Sequence, residues 1–259
     1  MNAKQSRIDV LLVERGLAPT RQRAQAMIMA GQVRIDNQLA RKPSETVAAS
    51  AQIDILGTDA KYASRAGLKL EGALDDFSVN ARDCICLDVG SSNGGFADCL
   101  LQHGARRVYA VDVNIAQLDW KLRRDTRVVA IKKNARFLKP ADVPESSSIV
   151  TVDVSFISVT KILLALVPIA QPGAVFLILI KPQFELEKKL VGKGGIVRDA
   201  QLHERAINSV RAAAEKSGLA ILSVQPSRVA GAEGNQEYFL HARRPDSIQF
   251  SALAESPGP

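Results

Sequence analysis

Two rhythms of apolar and polar positions run along this chain, and one gives way to the other near residue 58. In the first stretch the apolar groups are short and closely punctuated. Residues 7–15 space Ile8, Leu11 and Leu12 along one helix face, and Gly16 ends it. Thr20 caps a second helix that turns Ala24, Met27 and Ile28 one way and Arg21, Arg23 and Gln25 the other, with Gly31 as its stop. Residues 33–35, 39–42 and 52–56 read as short strands, the first two joined by the turn residues Asp36 and Asn37. The hairpin so formed carries Arg34, Arg41 and Lys42.

Past a linker the segments lengthen. Residues 66–77 form a helix with its apolar stripe at Ala66, Leu70, Ala73, Leu74 and Phe77. Strands follow near 84–89, 107–113, 127–132, 148–154, 174–180, 219–225 and 236–242, and helices near 94–103, 115–123, 159–167 and 199–217. Strand and helix in alternation predict a mostly parallel seven-stranded sheet covered on both faces, an α/β fold. The nearly unbroken apolar run from Ile162 to Ile180 imitates a membrane span, but Pro168, Gln171, Pro172 and Gly173 divide it into a short helix and a strand. No stable membrane insertion is expected. The predicted divisions are a small α+β domain over 6–58, a linker over 59–64, the α/β domain over 65–244 and a mobile polar tail over 245–259.

Composition adds little beyond an ordinary core: 46% of 259 residues are hydrophobic and 24% charged. The three cysteines form no C-x-x-C pair, and no secretory leader pattern stands at the N-terminus, so a reduced cytoplasmic setting is expected. Charge adds more. Between Lys121 and Lys139 stand eight Lys and Arg against Asp125 alone, a surplus equal to the net +7 of the whole chain. Such a density is either a surface for polyanions or a solvated helix and strand end.

Candidate chemistry gathers where strands end. Residues 87–96 read Leu-Asp-Val-Gly-Ser-Ser-Asn-Gly-Gly-Phe, a strand, a glycine loop and the start of a helix. That arrangement builds a nucleotide-like pocket at the carboxyl edge of a parallel sheet. It lacks both the G-x-G-x-x-G of dinucleotide folds and the Gly-Lys-Ser/Thr of a phosphate loop. An acidic residue before the loop, Asp88, suits a ligand with a cationic end such as S-adenosylmethionine. Asp112 ends the next strand about 20 residues after the first glycine, where a carboxylate takes ribose hydroxyls or caps the following helix. Asp153 and Lys181 end the fourth and fifth strands, Glu237 opens the last, and Lys69 lies beside the apolar stripe of the early helix. Two lysines and two carboxylates converging on one pocket would balance each other and could activate a hydroxyl nucleophile.

With these four residues the chain resembles the TlyA family of RNA 2′-O-methyltransferases, historically labelled haemolysin A. The resemblance runs from Arg7 to about Arg243 and rests on residues 7–16, 64–70, 88–96, 153–158, 181–185, 191–199 and 234–239. Ala66 departs from the glycine expected in the Ser-Arg-Gly-Gly run. The resemblance implies a Rossmann-like class I methyltransferase domain behind a ribosomal-protein-like RNA-binding domain of the αL type. It implies a catalytic tetrad of Lys69, Asp153, Lys181 and Glu237, with S-adenosylmethionine as cofactor and cytidine of ribosomal RNA, within ribosomal subunits, as substrate. No metal is implied. Cofactor contacts are expected from Asp88, Gly90, Ser91, Gly94, Gly95, Phe96, Asp112 and Asn134. RNA contacts are expected from Arg7, Arg21, Arg23, Arg34, Arg65, Arg123, Arg124 and Arg136. Lys181 is the expected base. Burial and Lys69 favour its neutral form, Asp153 and Glu237 its charged form, in which it would instead stabilise the forming alkoxide. Some members of the family modify both subunits and some only the large one, and the short extension past the last strand fits the narrower group. An N-methyltransferase would show Asn/Asp-Pro-Pro-aromatic after the fourth strand, where this chain has Asp153-Val-Ser-Phe156. An RNA-binding protein without methyl transfer and a membrane-active haemolysin are the rival functions.

Overall fold

The computed structural model describes residues 5–29, 32–36, 38–40, 42–55, 61–231 and 234–246. The chain divides between Ala60 and Lys61 into two compact units. The first contains, in chain order, β1 (Gln5–Arg7), α1 (Ile8–Glu14), α2 (Arg21–Met29), β2 (Val33–Ile35), β3 (Gln38–Leu39), β4 (Thr46–Ala48) and β5 (Ile53–Ile55). β1 pairs antiparallel with β4, and β2 lies between β3 and β5. Ile8, Leu12, Ala24, Ile28 and Val33 fill its core, the faces that the helical spacing predicted. The strand expected over 39–42 is only two residues long, and β1 and β4 were not expected. A pairing of three residues shows no alternation that sequence pattern can resolve. Gly31, Asn37, Arg41 and the start of the linker fall outside the described residues.

The second unit contains α3 (Ala66–Asp76), β6 (Ile85–Val89), α4 (Gly95–Gln102), β7 (Arg107–Asp112), α5 (Trp120–Arg124), β8 (Val128–Lys132), β9 (Ser147–Val152), α6 (Leu163–Leu166), β10 (Ala170–Ile180), α7 (Pro182–Glu185), α8 (Ala200–Lys216), β11 (Ala220–Pro226) and β12 (Tyr238–Arg243). Its seven strands lie in the order β11-β12-β10-β9-β6-β7-β8. The five from β10 to β8 are parallel, and β12 runs antiparallel between β10 and β11. β12 is therefore inside the sheet, not at its edge. Strand order reverses between β6 and β9, the position where such sheets open a ligand crevice.

Alternation along the strands sorts the core into two layers. Leu87, Val89, Val150, Val152, Phe176, Ile178 and Ile180 pack on one face. Cys86, Ile149, Leu177, Leu179 and Phe239 pack on the other, with Leu70 and Leu74 of α3 and Leu100 of α4. The apolar run at 162–180 divides as its prolines predicted, and Pro172 sits where the β9–β10 register shifts, so its missing N–H costs no ladder bond. Among the described residues no helix is long and apolar enough to cross a membrane. Residues 61–64, expected as linker, pack on this unit. Tyr62 is buried and Ala63 N donates to Asp98 Oδ2 at 2.7 Å. The expected tail lies outside the described residues from 247 onward.

Candidate active site

The glycine loop is shaped by the chain packing against itself. Gly90 has φ +85°, and a Cβ there would run into the backbone oxygen of Asp153. Only glycine lets the ends of β6 and β9 approach so closely. Gly90 N and Ser91 N both donate to Val111 O, at 2.9 and 3.1 Å. Gly95 begins α4, and a Cβ on it would strike Ser64 Oγ and crowd Gly67 N, so α3 and α4 meet at this residue. The loop walls a cavity of about 140 Å³, lined by Gly90, Ser91, Asp153, Ser155 and Lys181 among others. Ser91 Oγ is buried in that wall with no partner.

Asp88 lies beneath this wall and does not line it. Its carboxylate is fully buried; Oδ1 accepts from Thr151 Oγ1 at 3.0 Å, while Oδ2 has no partner. Burial pushes its carboxyl up to about 7, although the Thr151 hydrogen bond favours the ion. Asp112 shapes the loop from the next strand: Oδ2 accepts from Ser92 N at 2.9 Å and Oδ1 from Asn114 N at 2.8 Å. Asn134 stands apart from the cavity lining, its side chain accepting from Arg136 N at 3.0 Å.

Strand alternation explains how four distant charges come to share a face. Ile149 and Thr151 put Asp153 on the α3 side of the sheet, Leu177 and Leu179 put Lys181 there, and Phe239 puts Glu237 there. β12 pairs Tyr238 with Ile180, so Glu237 comes level with Lys181 as the antiparallel register continues. Lys69 reaches them from α3. Two ion pairs result. Lys69 Nζ donates to Glu237 Oε2 at 2.5 Å, and both are buried. Lys181 Nζ pairs with Asp153 Oδ1 and donates to Ser155 Oγ at 3.0 Å. Only the second pair lines the cavity.

Loops beside the cavity are fastened by side chains that sequence reasoning missed. Glu185 accepts from Ser158 Oγ at 2.5 Å and from Val159 N at 3.0 Å, tying the loop after β9 to the turn after β10. Burial raises its carboxyl above the ordinary range, opposed by those two donors. Asn235 is buried; its Oδ1 accepts from Val197 N at 2.9 Å and its Nδ2 donates to Gly195 O at 2.8 Å. Phe156 is 93% exposed at φ +67°, its ring 5.4 Å from that of Phe184. Ser155 could have been found from its place two residues after Asp153. Ser64, Ser92 and Asn93, also in the lining, carry no signal in the pattern.

The expected RNA contacts divide as well. In the first unit Arg23 and Arg34 are exposed, but Arg7 and Arg21 have a partner within the chain. Arg7 Nε and Arg21 Nε donate to the buried Asp9 at 3.0 and 2.9 Å, as does Gln25 Nε2 at 2.9 Å. In the second unit Arg65, Arg123, Arg124 and Arg136 are exposed, with Arg124 held 5.2 Å from the Trp120 ring.

Comparisons with known proteins cover both units. Residues 62–244 match the FtsJ-like methyltransferase family, and residues 6–53 match the S4 domain. The chain is 42% identical over 253 residues to the 16S/23S rRNA (cytidine-2'-O)-methyltransferase TlyA of Mycobacterium tuberculosis, spanning 96% of this chain and 94% of that protein. It is 40% identical over 237 residues to Hemolysin A of Brachyspira hyodysenteriae, spanning 91% and 98%. A solved structure, "Putative hemolysin from Streptococcus thermophilus", superposes with a TM-score of 0.72 at 39% identity, covering 96% of this chain and 92% of that one.

Proposed function

Because the chain belongs to the FtsJ-like methyltransferase family and carries an S4 domain ahead of the catalytic one, we propose that it methylates the 2′-hydroxyl of a cytidine in ribosomal RNA, using S-adenosylmethionine. One observation carries the reading: two lysine–carboxylate pairs on one face of the sheet, at the edge where the glycine loop walls a cavity. A base-amine methyltransferase needs no such pairs, because an amine attacks without losing its proton first. A ribose hydroxyl is a poor nucleophile near neutral pH and needs a group that takes its proton or holds the oxygen as charge develops.

The residues present fit the cofactor. Ser91 Oγ in the cavity wall has no partner within the chain, and the loop backbone at 90–93 lines the same space. Gly90, Ser91 and Gly95 would hold the methionine end, and Asp112, next to Ser92, the ribose. When bound, S-adenosylmethionine supplies an activated methyl group on a sulfonium. Asp88 does not reach the cavity; it is buried behind the lining and hydrogen-bonded to Thr151. Phe96 lines the cavity as well as packing in the core, its ring 6.1 Å from that of Phe239.

Lys181 is the tetrad member whose amine faces the cavity, so it is the group assigned to take the 2′-hydroxyl proton. Asp153 anchors that amine, and the buried Lys69–Glu237 pair keeps two further charges in balance beside it. Phe156, exposed three residues after Asp153 and tilted against Phe184, offers the target base a face to stack on. The exposed arginines of each unit suit substrate RNA read through backbone charge and shape.

The test uses purified protein, tritiated S-adenosylmethionine and unmethylated small and large ribosomal subunits in separate tubes. Label resisting alkali at one cytidine is expected, and the labelled tube names the substrate subunit. Lys181→Ala should abolish label while leaving cofactor binding by calorimetry intact. Unchanged single-turnover methylation by that variant would remove Lys181 from its role.

A further inference from the structure

Three lines of contact meet at the loop between β9 and α6, and they converge on a residue outside the tetrad. Ser155 lines the cavity beside Asp153 and Lys181. Its Oγ accepts from Lys181 Nζ at 3.0 Å. The loop that carries it is pinned at both ends: Asp153 N donates to Val89 O at 2.9 Å, and Glu185 receives Ser158 Oγ and Val159 N. Between these anchors Phe156 takes a left-handed backbone, which a non-glycine residue adopts at a cost. That strained turn exposes the Phe156 ring and leaves Ser155 beside the lysine.

A lysine amine on its four-carbon stem rotates freely and has little intrinsic direction of its own. The groups around Lys181 Nζ differ in what they can do about that. Asp153 supplies charge, and the Phe184 ring lies 5.9 Å away as a broad face. Glu237 is occupied by Lys69. The Ser155 hydroxyl is a neutral, directional acceptor. With the amine neutral, as a proton acceptor must be, one N–H given to Ser155 and the Asp153 carboxylate on another side leave the lone pair for the open cavity.

We propose that Ser155 is a positioning residue for the methyl-transfer reaction, orienting the Lys181 amine so that its remaining direction faces the acceptor hydroxyl. This rests on the assignment of Lys181 above. No bond is made or broken at Ser155, which keeps its own proton throughout.

The test measures steady-state methylation of the RNA substrate by the full-length chain and its Ser155→Ala and Ser155→Thr variants, with melting temperature and S-adenosylmethionine affinity alongside. Ser155→Ala is expected to lower kcat about tenfold to a hundredfold, the scale of a misplaced reacting group. KM for RNA, cofactor affinity and melting temperature should stay at wild-type values. Ser155→Thr keeps the hydroxyl and is expected to recover most of the rate. A Ser155→Ala enzyme with wild-type kcat overturns the proposal. So does one whose cofactor affinity or melting temperature falls along with its rate, which marks a structural role, and so does a Thr variant no faster than the Ala variant. Wild-type protein that methylates no ribosomal RNA sinks the methyl-transfer reading itself, and this inference with it. Wild-type turnover indifferent to Ser155 sinks the inference alone.

Discussion

Asp9 shows what a single residue can hide from its sequence. An acidic side chain in the first turn of a helix reads as a favourable partner for the helix dipole. Here it is fully buried and receives Arg7, Arg21 and Gln25. The Arg7 guanidinium above all, with Gln25 and Arg21, holds its carboxyl well below the usual carboxylate range despite the opposing effect of burial. Two arginines that looked free for RNA are therefore bound to a buried anion, although their outer surfaces stay half exposed. Because the folded value is depressed, this site contributes its full stability above the ordinary carboxylate value near 4 and loses it as pH falls through the folded value. Asp9→Ala should destabilise the first unit on the order of 2 kcal/mol near neutrality, the scale of hydrogen bonds to a charged group. It should also flatten the loss of stability on acidification. Thermal unfolding of the full-length chain, followed through NMR methyl signals of Ile8 and Leu12 at several pH values, checks both. A variant melting with wild-type pH dependence would remove Asp9 from this role.

Among the elements, strands were more legible than the connections that join them. Alternation located all seven strands of the large sheet. Helices expected at 115–123 and 159–167 turn out broken: α5 and α6 are short and flanked by single turns of tighter helix. Pro168 stands in the tight turn that follows α6, so it accounts for that helix's end but not for the breaks before it. The loop at 191–199 shows the reverse. Its glycines read equally as a loop closing over the target nucleotide or as a flexible surface loop; Asn235 ties it to the segment leading into β12, two residues before Glu237. Asn235→Ala would strand a buried N–H on Val197 and a carbonyl on Gly195, at a cost on the order of 2 kcal/mol. Limited proteolysis read by mass spectrometry should then show faster cleavage within 191–199. Cleavage at the wild-type rate would mean that the loop is held by other contacts.

At the scale of the whole molecule the governing quantity is charge. The net +7 is concentrated between Lys121 and Lys139, and Arg123, Arg124 and Arg136 within it are exposed. RNA binding should therefore weaken steeply with salt, through release of counterions from phosphates. Replacing Arg123 and Arg124 together by Ala should reduce the slope of log affinity against log salt by about one for each lost phosphate contact. Filter binding across a salt series measures this. A slope unchanged in the double variant would place the phosphate contacts on the first unit, whose Arg23 and Arg34 are also exposed.

What the sequence determined alone was what periodicity and local chemistry encode: the strands, the glycine loop, and the three charged residues, Asp153, Lys181 and Glu237, that stand where strands begin or end. These follow from backbone geometry, since side-chain direction repeats every two residues in a strand and chain reversal demands particular residues. Only the tertiary structure decided which charge pairs with which, Lys69 with Glu237 across 168 positions and Lys181 with Asp153. It alone showed that Gly90 serves the approach of two strand ends, that Asp88 lies under the cavity wall, and that Ser155 touches the lysine. Such partnerships are set by distance in space, and no local pattern carries distance between residues that the fold brings together from opposite ends of the chain.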